Sequence, residues 1–234
     1  MGSGKRVLLT GLDARYVDIK EIGAGGMAKV YKAWDSKMER HVAVKVMDQR
    51  LSVDQKYKSR FIREIKTMAL LQHPNIVPIY DYYADDETAW FVMGHVEGET
   101  LAKKIETGSI ASEKAFNDIA AGMLSALAYA HDKGVIHRDI KPENIIVDED
   151  GRPFLMDFGI ARHEEGEETR LTRTGSYLGT ATYSSPEQLN GDKVTRATDI
   201  YSLGIVFYEI IYGKPPYTGT LSRIIAGHMT GENP

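Results

Sequence analysis

Along residues 17–47, apolar and polar side chains alternate in short runs, Val17-Asp18-Ile19, then Lys29-Val30-Tyr31, then residues 41–46, with Gly23, Gly25 and Gly26 between the first two. A period of two sends successive side chains to opposite faces, so the pattern predicts three antiparallel strands. Phe61, Ile65, Met68 and Leu71 recur at helical spacing, and residues 76–83 and 89–94 again read as strands. After Gly98 the period lengthens. Phe116, Ile119, Met123, Leu127 and Ala130 mark one face of a long helix, with Ser112 as its N-cap and Glu113 in its first turn. Residues 148–151 read as a tight turn between two short strands. Residues 198–212 are apolar on nearly every side, as expected of a helix buried in the centre of a lobe. The expected fold class is therefore α+β: an antiparallel sheet with one helix, followed by a mainly helical part.

The chain has 234 residues, enough for one large domain or two lobes, and its 42 % hydrophobic and 26 % charged residues are those of a folding globular protein. A net charge of −4 argues against a nucleic-acid partner, whose backbone calls for a basic excess. With no cysteine, disulfides, Cys-ligated zinc and thiol nucleophiles are excluded, and a cytoplasmic location is expected. Residues 1–15 have no apolar signal-peptide core, and the longest apolar stretch, 200–212, is short and carries Glu209, so no membrane span is expected. Gly2 begins no myristoylation signal, because Arg6 stands where Ser or Thr is required. The acidic residues Glu164, Glu165, Glu167 and Glu168 read as a solvated loop segment in preference to a docking site.

Gly23-Ala24-Gly25-Gly26-Met27-Ala28-Lys29-Val30 lies between two predicted strands. Glycines there let backbone amides approach phosphate oxygens, although an ordinary tight turn uses the same residues. Val42-Ala43-Val44-Lys45 puts a lysine on a strand, and Glu64 follows in the predicted helix. Each is a surface charge when read alone; together they fit a phosphate-directed lysine with its counter-charge. The decisive run is His137-Arg138-Asp139-Ile140-Lys141-Pro142-Glu143-Asn144, followed by Asp157-Phe158-Gly159. Five fixed residues coincide by chance in about one chain of this length in 10⁴.

On these residues the chain resembles the protein kinase superfamily, and through Lys141 its serine/threonine branch. The resemblance implies a bilobal fold that uses ATP and Mg²⁺, with Mn²⁺ as the alternative ion. Asp139 is then expected to accept the substrate hydroxyl proton, Asn144 and Asp157 to hold the metal, Lys45 to contact the α- and β-phosphates, and Glu64 to orient Lys45. Thr180 matches the threonine that bonds Asp139 and Lys141. Ile22, Gly23, Ala24, Gly25 and Gly26 are expected to close over the phosphates. Val30, Ala43 and Ile146 would stack on adenine, beside Met93 as gatekeeper and the backbone of Gly94 and Val96. His137 and Phe158 are expected to pack, and Asp199 to anchor the backbone of the catalytic loop. Gly-Gly-Met at 25–27 and Ser-Pro-Glu-Gln at 185–188 are most similar to the bacterial members.

The implied organisation is an N-terminal extension over 1–15, an N-lobe over 16–93, a hinge over 94–97 and a C-lobe over 98–234. That lobe looks truncated, since the family continues through further helices. Glu187 is accordingly expected to lack the arginine with which it pairs in the family. Arg138 beside Asp139 points to control by activation-loop phosphorylation, with Thr172 and Thr174 as the modified pair. Expected partners are proteins presenting Ser or Thr and a second kinase domain acting in trans, with no nucleic acid and no membrane. Two departures are Ala28 in place of the third loop glycine and Gly94 in place of the hinge glutamate. Lys45, Glu64, Asp139, Asn144 and Asp157 together oppose a scaffold without turnover. The Gly-Thr-x-x-Tyr and Ser-Pro-Glu segment opposes a small-molecule phosphotransferase.

Overall fold

The computed structural model describes residues 15–25, 28–48, 55–86, 88–110, 112–158 and 181–232. They fall into two units, one of Met1–Leu70 with Pro78–His95 and the other of Leu71–Val77 with Val96–Pro234.

In the first unit the alternating runs become β1 (Tyr16–Ala24), β2 (Ala28–Asp35), β3 (Arg40–Met47), β4 (Ile79–Ala84) and β5 (Ala89–Gly94). They form one antiparallel sheet in the order β1-β2-β3-β5-β4. Val42, Val44 and Val46 of β3 point to one face, where they join Tyr16, Tyr31, Ala33, Trp90 and Val92 in an apolar cluster closed by Tyr83. The Tyr83 ring stacks on Trp90 at 5.4 Å, and Tyr16 meets Trp90 edge-on. Arg15 ties the sheet start together through Asp35 at 2.7 Å, and its guanidinium holds the Asp35 carboxyl down at about 2. Helix α1 (Gln55–Met68) buries Phe61, Ile65 and Met68 along one stripe.

The second unit contains β6 (Gly98–Thr100), α2 (Leu101–Glu106), α3 (Glu113–Asp132), a 3₁₀ turn (Pro142–Asn144), β7 (Ile145–Asp148) and β8 (Pro153–Leu155). After them come α4 (Pro186–Asn190), α5 (Arg196–Tyr212) and α6 (Leu221–Thr230). β6, β7 and β8 make a small antiparallel sheet. Gly98 allows this pairing, because a Cβ there would sit 2.4 Å from the Val147 carbonyl oxygen. Ser112 caps α3 by accepting from the Ala115 N–H, and the helix buries Ile119, Met123, Leu127 and Ala130 as its spacing requires.

The α+β class, sheet first and helices after, is the one the periodicity indicates. Three local expectations need correction. The run 76–83 is not one strand: Pro78 has no N–H to donate, β4 starts only at Ile79, and Ile76 pairs in parallel with Leu155 instead. Leu71 lies beyond the end of α1 and belongs, with residues 72–77, to the second unit. Val77 N–H donates to the Leu155 carbonyl, Leu155 N–H to that of Asn75, and the Asn75 side chain to Pro153 O at 2.9 Å. Finally, α5 is not buried all round. Thr198, Asp199, Ser202, Leu203 and Val206 are buried, but Ile200, Ile211 and Tyr212 are 48–63 % exposed.

Candidate active site

In the first unit the glycine-rich segment is a hairpin between β1 and β2. Gly23 lies opposite Val30, Ala24 opposite Lys29, and Gly25 N–H donates to the Ala28 carbonyl at 2.9 Å. Ile22 near the end of β1 is exposed. Gly26 lies outside the described residues. Lys45 sits opposite Val30 on one side and Phe91 on the other, while Ala43 is opposite Met93. Directly opposed residues share a face, so Val30, Ala43, Lys45, Phe91 and Met93 all project from the side of the sheet away from the apolar cluster. Helix α1 packs on that side, its Phe61 ring 5.9 Å from that of Phe91. Glu64, one turn beyond Phe61, follows on the same helix face, with Oε2 buried. Gly94 donates its N–H to the Pro78 carbonyl, and a Cβ on it would come within 3.2 Å of the Pro78 ring. A side chain at 94 would require the Pro78 ring to give by a few tenths of an ångström. Val96 belongs to the second unit.

In the second unit the run 137–144 is pinned from below. Asp199, fully buried on α5, accepts the backbone N–H of His137 at 2.8 Å and of Arg138 at 2.7 Å, and Nε2 of His131 at 2.7 Å. These bonds hold Arg138 at φ +68°, a left-handed conformation costing a non-glycine residue about 1–3 kcal/mol. The next residue, Asp139, has its Oδ2 held by Lys141 Nζ and by Asn144 Nδ2, each at 3.1 Å. Asn144 also donates to the Asp139 carbonyl at 2.7 Å. Its amide nitrogen is thus committed to Asp139, which leaves the amide oxygen as its donor atom for a hard cation. Met156 N–H bonds the Asn144 carbonyl, bringing Asp157 beside it; Asp157 is itself left-handed, at φ +56°, with Oδ1 buried.

An amide oxygen and a carboxylate fit Mg²⁺, which binds through one or two such groups together with substrate phosphates. No group of three or more His, Cys, Asp or Glu side chains able to hold a metal occurs among the described residues. Ile146 lies on β7 and is half-buried. Thr180, Thr172 and Thr174 lie outside the described residues.

His137 is buried, its Nε2–H donating to the Met156 carbonyl and its Nδ1 accepting the Asp139 N–H, so the ring is neutral in a fixed tautomer. Its ring lies 4.5 Å from Phe158, as expected of a packing residue. A second buried imidazole, His228 of α6, donates from Nε2 to the Thr182 carbonyl and accepts from the Tyr201 hydroxyl, while Tyr217 meets its ring edge-on. Burial pushes both histidines down in pKa, against smaller opposing effects of nearby carbonyls and, for His137, carboxylates. Below the ordinary histidine value of about 6.5 the unfolded chain binds protons that the native rings refuse, so stability is complete above that pH and declines below it. Each ring contributes a slope of at most about 1.4 kcal/mol per pH unit. Thermal melts should therefore shift down between pH 7.5 and 5.5. His228→Gln, which keeps a donor for Thr182 but does not titrate, should make the decline shallower.

Sequence spacing did not reveal several contacts. Glu187 is not left bare: the Thr198 hydroxyl donates to it at 2.6 Å. Burial pushes its carboxyl up, but bonds from Thr198, its own backbone and Ser185 outweigh that and leave it below the usual range. Tyr183 donates to Glu209 at 2.7 Å. Gln188 reaches Arg138 from α4.

No helix among the described residues is long and apolar enough to cross a membrane. Serine/threonine-protein kinase PrkC of Bacillus subtilis is 40 % identical over 232 residues, covering 99 % of this chain and 35 % of the relative. Serine/threonine-protein kinase PknB of Mycobacterium tuberculosis is 39 % identical over 227 residues, covering 95 % and 36 %. A probable PknB of Bifidobacterium longum is 41 % identical over 220 residues, covering 90 % and 32 %. The chain thus spans about a third of the length of the curated relatives it matches. Residues 16–231 match the protein kinase domain, and this chain, with its antiparallel-sheet unit and its mainly helical unit carrying the Asp139 loop, belongs to that family.

Proposed function

We propose that this chain transfers the γ-phosphoryl group of Mg²⁺-bound ATP to serine or threonine hydroxyls of proteins. The observation that carries the reading is Asp139: its carboxylate is held by Lys141 and Asn144 on a loop whose backbone Asp199 fixes. A fixed carboxylate next to a cation is what an incoming hydroxyl needs. Asp139 orients the substrate O–H and takes its proton as the oxygen bonds to phosphorus and the bond to the ADP oxygen breaks. Lys141 offsets negative charge on the transferred group. Asn144 and Asp157 hold the metal, which supplies charge neutralisation on the phosphates when bound. On the first unit, Lys45, with Glu64 as its orienting partner, contacts the α- and β-phosphates, and the 22–26 hairpin covers them. Val30, Ala43, Met93 and Ile146 supply the apolar surround of the base. With the Gly94 N–H engaged by Pro78, adenine is met there by the carbonyl, and by the Val96 backbone.

The same reading assigns the chain a hinge over 94–97, a cytoplasmic setting, and control by autophosphorylation of Thr172 and Thr174 between paired copies. Arg170 and Arg173 flank those threonines and would meet the added charge.

The test is incubation with γ-labelled ATP, Mg²⁺ and a basic protein, beside Lys45→Met. Label should appear on Ser and Thr of the added protein and at Thr172 and Thr174, and fall at least about 100-fold in the variant, since charge stabilisation of this kind is worth 10²–10³ in rate. Wild-type chain that ATP protects against heat but that transfers no label would overturn the enzyme reading in favour of a nucleotide-binding scaffold.

A further inference from the structure

Gln188 bridges two parts of the second unit that lie 50 residues apart in sequence. Its Oε1 accepts the Ser185 N–H at 3.1 Å, and Ser185 Oγ accepts the Gln188 N–H, a capping box that opens α4. From the same amide, Nε2 donates to the Arg138 carbonyl at 2.8 Å. One side chain therefore needs an acceptor atom for the helix start and a donor atom for the loop, and an amide is the group that carries both. The two partners also fix which way the amide faces.

The carbonyl it reaches is a sensitive one. Arg138 is left-handed, at φ +68°, and its peptide leads directly into Asp139. Asp199 holds the N–H of Arg138, and His137 Nδ1 receives the N–H of Asp139. With Gln188 on the intervening carbonyl, the peptide plane from which the Asp139 side chain departs is fixed at both of its polar atoms. We propose that Gln188 is a positioning residue for Asp139, coupling the start of α4 to the aim of the carboxylate. The inference rests on the role given to Asp139 above.

It predicts a split between stability and turnover. Gln188→Glu keeps the acceptor for Ser185 and so the cap, but turns a carboxylate oxygen toward the Arg138 carbonyl. Its melting temperature should fall by no more than about 4 °C, the loss of the one bond to Arg138 with the cap kept. At pH 8, kcat on the basic protein should fall about tenfold, with KM for ATP within about twofold, the signature of an interaction that matters in the transition state. As pH is lowered toward 5.5 the ratio of variant to wild-type kcat should climb, because the protonated carboxyl can again donate to Arg138 O. Gln188→Met has neither atom: it should lose turnover at every pH and also melt lower. Amide hydrogen exchange at residues 137–139 should quicken in both variants. Wild-type kcat in either variant, or a drop in melting temperature without a change in kcat, overturns the proposal and leaves the kinase reading intact. A wild-type chain that transfers no phosphate overturns the kinase reading and this inference with it.

Discussion

Asp139→Asn is expected to lower kcat for protein phosphorylation by about 10²–10⁴-fold, the range in which a positioned general base contributes. The substitution keeps the shape of the side chain and one oxygen for Lys141 Nζ or Asn144 Nδ2, which both point at Oδ2. It removes the charge that attracts the substrate proton. Melting temperature and KM for ATP should therefore change little, because neither the Asp199 anchor nor the residues proposed to meet adenine are touched. Steady-state kinetics with a basic protein substrate checks this. A raised KM at unchanged kcat would mean that Asp139 only binds substrate.

Asp199→Ala has the largest expected effect on stability, about 3–5 kcal/mol, as for the loss of one partner from a buried polar cluster. Three donors converge on this fully buried carboxyl: the backbone N–H groups of His137 and Arg138 and the His131 ring. Each buried donor left without an acceptor costs about 1–3 kcal/mol, and the left-handed Arg138 loses the bond that compensates its strain. Against a typical domain stability of about 5–15 kcal/mol this is a severe loss, visible as a lower urea midpoint. Asp199→Asn, which retains one oxygen but turns an N–H₂ toward a donor, should fall between the two. Activity should decline in both variants even where they remain folded, because the peptide before Asp139 is no longer held.

Elements with a strong period were legible in the sequence. Val42, Val44 and Val46 alternate with Ala43 and Lys45, and that alternation sorts β3 into a core face and the opposite face that carries Lys45. Ser112 announced the start of α3 because a cap is local chemistry, read within three residues. The run from His137 to Asn144 was legible because its residue types are rare in combination. The contacts that hold that run in place were less so. His131 and Asp199 are 68 residues apart, and Gln188 and Arg138 are 50, and no short-range period encodes such a meeting. Asp199 was reached through the family resemblance, and Gln188 was missed. The exposed Ile200 and Ile211 show a different limit: hydrophobicity names a residue that prefers burial but does not say whether the fold buries it. Leu71 fitted the spacing of α1 and yet left it, since helical spacing does not say where a helix stops.

Residues 71–77 also impose a schedule on synthesis. Their hydrogen-bond partners in and around β8 lie far down the chain, 78 residues on in the case of Asn75 and Pro153. At roughly 5–20 residues per second, a ribosome emits those partners about 4–16 s after the strap itself. β4 and β5 follow the strap immediately and can join β3 within that interval. Meanwhile Leu71, Ile76 and Val77, all buried in the finished protein, wait in water as a short apolar tether. For those seconds the apolar segment stays open to water, and it closes when Leu155 arrives.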